Sequence, residues 1–427
     1  MTAWTEEHPT GRSLHPAAAV VFATLLGCSS ATSSALGNSG QSVDGGAGDG
    51  AVDAPPGFQM APHPSVTGGL VPKGSGPILA HMKLVTVTFA GYEHEADVQA
   101  FGSWLPGSTW LTTVGGEYGV GAGTSAGSVV LQETAPSTVT LPDVGAFVAA
   151  RVMNGTLPAS LANDADYLYV VYYPATTAVH IVASDAGCLA AGGFHASYAR
   201  NGLYFTYAAI PDDCASLFPG LGLDPLSFVE FDASHEIVEA ASDPYTVATD
   251  GTNVVSGPSA WRITDTSNPW SAFGGEIGDA CTSRCVRESG FTVQRIWSNQ
   301  AASQGQDPCV PAVAPYFGTS PTGSGVVTVS AGSSAQVPLV GWSAAPGITW
   351  KLLPDTGPYI TSQFVPGAQS QPASLSNGTT GTLTVSAVAG TPSGSRGIVF
   401  LSSSPSPTPA ALAYANRTLW PVMVEVP

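Results

Sequence analysis

Short apolar segments separated by turn-forming residues dominate the chain between residues 83 and 211. Five of them are rich in β-branched and aromatic residues: KLVTVTFAGY (Lys83 to Tyr92), DYLYVVYYP, AVHIVAS, GGFHASYA and GLYFTYAAIP. Two stretches, EADVQAFGSWL and DVGAFVAARVMNG, have helical periodicity instead, and a glycine ends the second. The pattern predicts a β-sheet accompanied by helices, which is an α+β domain.

A longer helix is predicted around FDASHEIVEAASDPY, Phe231 to Tyr245. Asp224 can cap its N-terminus and Pro225 suits its first turn. At the other end Asp243-Pro244 stops it, because the residue before a proline is disfavoured in helical geometry.

Four ionisable residues share one face of this helix, since successive residues are about 100° apart. They are His235, Glu236, Glu239 and Asp243. Only 10% of the chain is charged, so this grouping needs a reason. Carboxylates gathered in a buried cleft require a cation. The face therefore predicts a metal site, with Asp243 in a secondary role; the alternative is a polar helix face that happens to contain a histidine.

Beyond Pro315 the pattern changes to short alternating strands separated by Gly, Pro and Ser turns, as in TGTLTVSAVAG, SRGIVFLSSS and RTLWPVMVEV. This spacing, sustained over roughly 100 residues, is typical of an immunoglobulin-like β-sandwich. We therefore predict a metallohydrolase-like α+β domain at residues 79–315 and an all-β immunoglobulin-like sandwich at residues 318–427. The sandwich contains no histidine or cysteine, and we interpret it as an accessory module; adhesion to carbohydrate or protein is an open alternative.

The N-terminal residues have the features of an export signal. The apolar run AAAVVFATLL is too short to span a bilayer, and LLGCSS follows it. Gly27-Cys28 resembles a bacterial lipoprotein cleavage site, so we expect a signal peptide at residues 1–27 and lipidation at Cys28; a plain secretory signal is the alternative. The Gly/Ser/Pro-rich residues 28–78 predict a flexible tether. The serines after Cys28 favour an outer-membrane or cell-surface location.

The charge balance excludes several partners. The chain of 427 residues has 12 Lys plus Arg against 30 Asp plus Glu, a net charge of −18. Nucleic acid is excluded, because a phosphate-binding surface needs clustered cations. The glycine-rich GVGAGTSAGS lacks the lysine of a phosphate-binding loop, so we predict no nucleotide cofactor. The expected contact with a membrane is through the lipid anchor.

HEIVE differs by one residue from the zinc-protease signature HExxH, in which two histidines bind zinc and the glutamate activates water. His235 and Glu239 are therefore predicted ligands and Glu236 the predicted general base. Such zinc sites need a third ligand from another segment. GGEIGDAC offers Glu276 and Asp279, and GGFHASY offers His195. Of the other histidines, we interpret His94 as solvated and His180 as structural.

Export also predicts disulfides, because the envelope is oxidising. Five cysteines follow Cys28: Cys188, Cys214, Cys281, Cys285 and Cys309. Cys188 with Cys214 is a plausible first pair, and we favour a disulfide between Cys281 and Cys285 over a thiolate metal site. The sequence does not decide which of the last three cysteines is left over.

The order of DADYLYVVYYP, GCLAAGGFHASY, LYFTYAAIPDDCA, FDASHEIVEAASDP, GEIGDAC and FTVQRIWSN resembles the phosphate-induced, Exordium-like extracellular proteins. The resemblance covers about Lys83 to Asn299. Members with a His-Glu-x-x-Glu helix followed by Asp/Asn-Pro look like metal-dependent hydrolases. The resemblance implies a site built from His195, His235, Glu236, Glu239 and Asp279. It names no reaction, and Glu239 departs from the zinc-protease pattern.

We therefore expect an envelope-anchored, zinc-dependent metallohydrolase, peptidase-like, acting on a peptide or cell-wall substrate. The main alternative is a non-catalytic cell-surface lipoprotein with an adhesive sandwich. In it the acidic face binds a structural cation such as Ca²⁺, or an arginine: Arg262, Arg284 or Arg295. Ca²⁺ fits less well than Zn²⁺, because it prefers six to eight oxygen ligands. A carbohydrate-active enzyme with paired carboxylates is a third alternative.

Overall fold

The computed structural model describes residues 57–64, 66–159, 166–183, 187–189, 192–200, 203–212, 214, 223–245, 247–249, 254–282, 284–312, 315–355, 364–370, 374–404 and 417–427. The predicted signal peptide and lipidation site Cys28 lie outside these residues. Within them, no helix is both long and apolar enough to cross a membrane.

The first domain contains thirteen strands and five α-helices in its described residues. The strands are β1 Lys83–Phe89, β2 Thr124–Leu131, β3 Thr138–Thr140, β4 Tyr167–Tyr173, β5 Ala178–His180, β6 Phe194–Arg200, β7 Leu203–Pro211, β8 Val247–Thr249, β9 Val254–Ser256, β10 Cys285–Glu288, β11 Phe291–Gln294, β12 Ile296–Trp297 and β13 Cys309–Val310. The helices are α1 Glu95–Trp104, α2 Thr109–Gly115, α3 Leu141–Met153, α4 Pro225–Ser242 and α5 Asn299–Ser303.

Seven of these strands form the main sheet, in the order β2-β1-β4-β7-β6-β8-β9. The first four are parallel to one another, and β6 runs antiparallel to β7 from Phe194 opposite Ala209 to Arg200 opposite Leu203. The mixed sheet with helices confirms the α+β prediction at this coarse level.

Side chains of β4 show how the sheet separates two cores. Leu168, Val170 and Tyr172 pack in one cluster with residues of α1 and α4, whereas Tyr169 and Tyr173 pack in the other with residues of α3. This alternation follows from the two-residue period of a strand. Both faces of the sheet are therefore covered by helices, and α4 lies on one of them.

Helix α4 has the ends that the sequence predicts. Asp224 caps it by accepting a hydrogen bond from the Ser227 amide (2.9 Å), and Pro225 occupies its first position. Asp243 ends it, and its amide donates to the Glu239 carbonyl. From Ser227 to Ser242 every residue is buried, because the helix lies between the main sheet and the β10–β11 hairpin. Its polar face is therefore interior rather than solvated.

The C-terminal residues form two further sheets, β14-β16-β20-β18 and β15-β22-β21-β17-β19. Their strands are β14 Phe317–Pro321, β15 Val326–Thr328, β16 Ser334–Ser343, β17 Thr349–Asp355, β18 Phe364–Ser370, β19 Leu375–Ser376, β20 Thr380–Ala387, β21 Arg396–Ser404 and β22 Thr418–Glu425. Trp342 and Leu383 of one sheet share a core with Trp350 and Val422 of the other. This is the two-layer sandwich that the alternating pattern predicts.

The sandwich packs directly on the first domain. Trp270 contacts Trp420 with ring centroids 5.3 Å apart, and Phe273 contacts Phe400 at 4.7 Å. The buried Arg284 donates to the Arg417 carbonyl (2.9 Å) across the same boundary. The two cores are therefore continuous rather than joined by a linker.

The predicted tether is too long, because its last part packs on both domains. The Ala61 amide donates to Asn377 in the sandwich (2.7 Å), and the His63 ring lies 4.5 Å from that of Trp342. Val71 is buried and bonded to Asn299 (2.8 Å). The apolar and aromatic contacts available to these few residues outweigh their turn-rich composition. Residues 28–56 of the tether lie outside the described residues.

Disulfides join Cys188 to Cys214 and Cys281 to Cys309. The first pair agrees with the prediction. The predicted pair Cys281 with Cys285 is wrong. Cys281 closes the short helical turn Asp279–Cys281, whereas Cys285 starts β10, and the sulfur of Cys281 faces β13 instead.

Candidate metal centre

Three segments bring the predicted site residues together. Helix α4 carries His235, Glu236 and Glu239 on one face, and β6 places His195 beside them. All are buried: His195 is 6% exposed and the three helix residues are fully buried. The loop Gly274–Asp279 adds two more carboxylates, Glu276 and Asp279, each at most 1% exposed. The structure thus joins every principal ligand candidate named from the sequence.

Three of these side chains form one of two groups whose atoms lie close enough to hold an ion; the other group is His195, Glu236 and Glu239. His235 Nε2 lies 3.1 Å from Glu239 Oε2 and 3.9 Å from Asp279 Oδ1. Atoms bound tetrahedrally to one zinc ion at about 2.0–2.1 Å lie about 3.3 Å from one another. The observed separations lie on either side of that spacing, so this group has the size of a single metal site.

The backbone of the loop fixes the orientation of two of these carboxylates. Glu239 Oε1 accepts hydrogen bonds from the amides of Gly278 (2.9 Å) and Asp279 (3.0 Å). Asp279 Oδ2 accepts one from the Glu276 amide (2.9 Å). Each carboxylate therefore uses one oxygen to hold the loop and leaves the other, Glu239 Oε2 or Asp279 Oδ1, without a hydrogen bond.

The close approach of the loop requires glycine at position 278. A Cβ atom there would lie 2.7 Å from Glu239 Oε1 and 2.8 Å from His235 Nδ1. Real Cβ atoms essentially never approach neighbouring atoms this closely. Gly278 is thus part of the site geometry, which the sequence suggested only as a tight bend.

His195 lies between two carboxylates, with one near each of its ring nitrogens. Its Nδ1–H donates to Glu236 Oε2 (3.0 Å), and its Nε2 lies 3.4 Å from Glu276 Oε1. Burial opposes a charge on His195, but the neighbouring Glu276 and Glu236 outweigh it and raise the pKa of the ring well above its ordinary value. We therefore assign His195 to holding Glu236, although its Nδ1 also lies within reach of Glu239 Oε2 (3.8 Å).

Arg262 is the one arginine of the three candidates that reaches the cluster. Its guanidinium lies 3.4 Å from Glu276 Oε2, the oxygen that faces away from His195. Burial raises the pKa of the Glu276 carboxyl, but His195 and Arg262 outweigh it, and the pKa falls below its usual range. Arg284 and Arg295 instead bind Asp307, at 3.0 and 2.6 Å. They do not neutralise the acidic face of α4.

Gln294, which the sequence did not single out, contacts both the helix and the loop. Its Oε1 lies 3.0 Å from His235 Nδ1, and its Nε2 donates to the Gly278 carbonyl (2.6 Å). A carbonyl only accepts hydrogen bonds, so the amide nitrogen must face it and Oε1 must face the histidine. His235 Nδ1 then carries a proton, and its Nε2 faces the carboxylates.

Asp232 is a second residue that sequence reasoning missed. It is fully buried, and neither of its oxygens has a hydrogen-bond partner in the described residues. Burial and the nearby Glu236 raise the pKa of its carboxyl well above the ordinary value. It lies one turn before Glu236 on α4, so the helical spacing was a signal that could have found it.

Asp243 does not join the ligand cluster. Its Oδ1 accepts a hydrogen bond from the Ala260 amide (2.6 Å), at the end of α4. In place of the predicted secondary role at the metal, Asp243 holds the backbone at Ala260. His94, predicted to be solvated, lies 3.8 Å from the buried Asp212, and His180 lies in β5.

The unsatisfied atoms test whether the cluster suits a cation. Buried polar atoms nearly always have a hydrogen-bond partner. Here five buried atoms from five side chains have none in the described residues: His235 Nε2, Glu236 Oε1, Glu239 Oε2, Glu276 Oε1 and Asp279 Oδ1. Four of the five are carboxylate oxygens, and the fifth is an imidazole nitrogen. This is a donor set that a divalent cation satisfies.

Comparisons with known proteins add little to this geometry. Neither the scan of protein-family models nor the search of curated proteins found a match to the chain. Among solved structures, a similar chain is the BIgI domain of beta protein from S. agalactiae bound to CEACAM1. It is 12% identical, covers 26% of this chain and 96% of its own, and has a TM-score of 0.16. A similarity of that size carries no argument about fold or function.

Proposed function

We propose that the protein is a zinc-dependent metallohydrolase that cleaves amide bonds in a peptide or cell-wall substrate. The observation that carries the proposal is that three buried atoms, His235 Nε2, Glu239 Oε2 and Asp279 Oδ1, lie within 4.8 Å of one another without a hydrogen-bond partner in the described residues. One imidazole with two carboxylates is a donor set that zinc accepts. Ca²⁺ is less suited, because it prefers oxygen ligands alone.

The ligands in this proposal are His235, Glu239 and Asp279. Zinc held there would polarise a carbonyl and lower the pKa of a bound water toward neutrality. Glu236 is the next residue on the helix, and its Oε1 lies 3.9 Å from His235 Nε2 without a hydrogen bond. It is therefore placed to take the proton of the attacking water as general base.

The remaining charged residues orient that base. His195 holds Glu236 Oε2, which leaves Oε1 as the oxygen that accepts the proton. Glu276 contacts the other side of His195, and Arg262 contacts Glu276. The series from Glu236 to Arg262 thus alternates acidic and basic groups, which makes the burial of these four side chains less costly.

The metal claim is tested by elemental analysis of the purified protein. We expect one equivalent of zinc in the wild type and almost none in His235→Ala, because that variant loses the only nitrogen ligand. His81→Ala is the matched control, since His81 is exposed and, among the described residues, bonds only the Ala122 carbonyl. Equal and negligible zinc in all three proteins would refute the proposal.

The catalytic claim is tested with Glu236→Gln, which keeps the size of the side chain but cannot accept the proton as readily. We expect zinc content to stay the same and the hydrolysis of a mixed peptide library to fall by about 10²-fold or more, the usual contribution of a general base. The same zinc content with unchanged hydrolysis would exclude this mechanism.

The burial of the cluster favours a second function, a non-catalytic surface protein with a structural cation. No ligand candidate is more than 6% exposed, and structural metal sites are closed whereas catalytic sites keep an open position. Under this alternative, chelation lowers the stability of the protein, and no hydrolysis by the wild type is detected.

Membership of the Exordium-like family and attachment by a lipid at Cys28 remain proposals of the same kind. The resemblance of the HEIVEAASDP and EIGDAC segments supports the first, and the LLGCSS sequence supports the second. Two disulfides in the described residues fit an exported protein.

Expression of Cys28→Ala in a bacterial host tests the lipid anchor. We expect the variant in the soluble rather than the membrane fraction.

A further inference from the structure

We propose that Gln294 is the positioning residue of the metal centre: it makes His235 Nε2 a metal-binding atom and ties that histidine to the loop carrying Asp279. The proposal rests on the proposed metal site. Its evidence is the pair of hydrogen bonds at the two ends of one side-chain amide, from His235 Nδ1 (3.0 Å) and to the Gly278 carbonyl (2.6 Å).

The direction of both hydrogen bonds follows from the atoms themselves. The Gly278 carbonyl accepts from the Gln294 Nε2, so the amide cannot turn over without placing two oxygens against each other. The proton between Gln294 and His235 must then belong to the histidine. A neutral imidazole carries one proton, so with that proton on Nδ1 its Nε2 presents a lone pair.

Gln294 is itself held at its backbone. Its amide donates to Ser234 Oγ (2.8 Å), and its carbonyl accepts from the Trp110 indole (3.0 Å). Ser234 immediately precedes His235 on α4. The side chain is fully buried, so its position is set by the framework rather than by solvent.

The β10–β11 hairpin that carries Gln294 lies along α4 with a polar contact at each helical turn. Arg287 donates to Ser227 Oγ (3.2 Å), the Thr292 amide donates to Glu230 (2.8 Å), and Gln294 reaches Ser234 and His235. These two strands pair only with each other in the described residues. The hairpin therefore fixes the position of Gln294 against the helix, which gives this separate element a function.

A glutamine also leaves the charge of the site unchanged. The partner of a metal-binding histidine is often a carboxylate, but the cluster already contains Asp232, Glu236, Glu239, Glu276 and Asp279. Another carboxylate would add a sixth acidic group to a buried site. Glutamine supplies the accepting oxygen without that charge, and its nitrogen also holds the loop.

The test compares zinc affinity, measured by competition with a chromophoric chelator, in Gln294→Met and Gln294→Glu. Methionine has a similar length and makes neither hydrogen bond, so we expect affinity to fall about 10- to 100-fold, the usual effect of removing such a partner. Glutamate keeps the accepting oxygen, so we expect it to retain more of the affinity than methionine does. Thr292→Val is the matched control, because Thr292 is buried in the same strand and its hydroxyl has no hydrogen-bond partner in the described residues.

The outcomes separate this inference from the proposed function. Wild-type affinity in Gln294→Met, or equal losses in Gln294→Met and Gln294→Glu, would overturn the positioning role while leaving the metal site intact. Absence of zinc from the wild type would refute the metal site itself. Thermal unfolding shows whether each variant folds. If Gln294→Met does not fold, the test depends on Gln294→Glu. A loss of zinc affinity above about tenfold in folded Gln294→Glu would then refute the role of the accepting oxygen. Nitrogen-15 NMR of labelled histidine in the zinc-loaded protein gives an independent readout, with Nδ1 of His235 expected to be protonated.

Discussion

At the scale of single residues, the cluster follows a simple rule: one polar atom of each side chain is held and the other is left free. Glu239 and Asp279 hold loop amides with one oxygen, and His235 holds Gln294 with one nitrogen. The freed atoms then point to a common place. Such preorganisation lowers the cost of binding, because the side chains need not become ordered when the ion arrives.

Gly278→Ala should disturb this arrangement directly. Its Cβ would lie within 3 Å of Glu239 Oε1 and His235 Nδ1, so the loop must move. We expect unfolding free energy to fall by about 1–3 kcal/mol, the usual cost of overpacking a buried position, and zinc affinity to fall as well. Gly107→Ala is the control, since nothing lies within 4 Å of its Cβ position. Denaturant unfolding that showed equal stability for both variants would contradict this account.

At the scale of elements, the sequence predicted helix α4 correctly, because the residues that start and end the helix lie within it or next to it. Asp224, Pro225 and Asp243-Pro244 set its ends, and the structure confirms each of them. The hairpin that packs against α4 was harder to predict from the sequence. The β10–β11 hairpin has no special motif, and Gln294 lies 59 positions from His235, so only tertiary packing brings them together. The disulfide of Cys281 was predicted wrongly for the same reason.

The N-terminal cap of α4 gives a pH prediction. Burial raises the pKa of the Asp224 carboxyl, but hydrogen bonds from Ser227 outweigh it and lower the pKa. A lowered folded-state pKa stabilises the protein above the unfolded value of about 3.9, and this contribution is lost as pH falls through the folded value. Asp224→Ala should therefore lose about 0.5–2 kcal/mol near neutral pH, and the difference from wild type should shrink below about pH 4. Urea unfolding across this range measures it; a difference independent of pH would contradict the capping role.

At the scale of the whole molecule, the sandwich is part of one framework with the first domain. The core is continuous from Trp270 through Trp420 to Trp342. Arg284 and Asp307 add buried polar contacts close to the disulfide of Cys281, two residues beyond Asp279. The loop that carries Asp279 is therefore supported from the sandwich side. The accessory module expected from the sequence is also a structural support.

Trp420→Ala tests this continuity. Trp420 is 5% exposed and contacts aromatic rings of both domains. We expect a loss of about 3–5 kcal/mol, as for other buried tryptophans, with one cooperative unfolding transition in calorimetry for wild type and variant. Leu419→Ala is the control, because Leu419 is only partly buried and should cost less. Two separate transitions in the wild type would show that the domains unfold independently.

The sequence by itself determined many local features of this protein: the strands β1, β4, β6 and β7 of the main sheet, the ends of α4, and the histidine and carboxylates that share its face. These depend on periodicity, capping and proline geometry within a few residues. Tertiary structure alone decided that Asp279 faces His235, that His195 holds Glu236, and that Asp243 points elsewhere. It also assigned Gln294 to His235 and packed residues 57–78 on both domains. The physical reason is that each of these contacts joins segments distant in sequence, so packing rather than local preference determines which side chains meet.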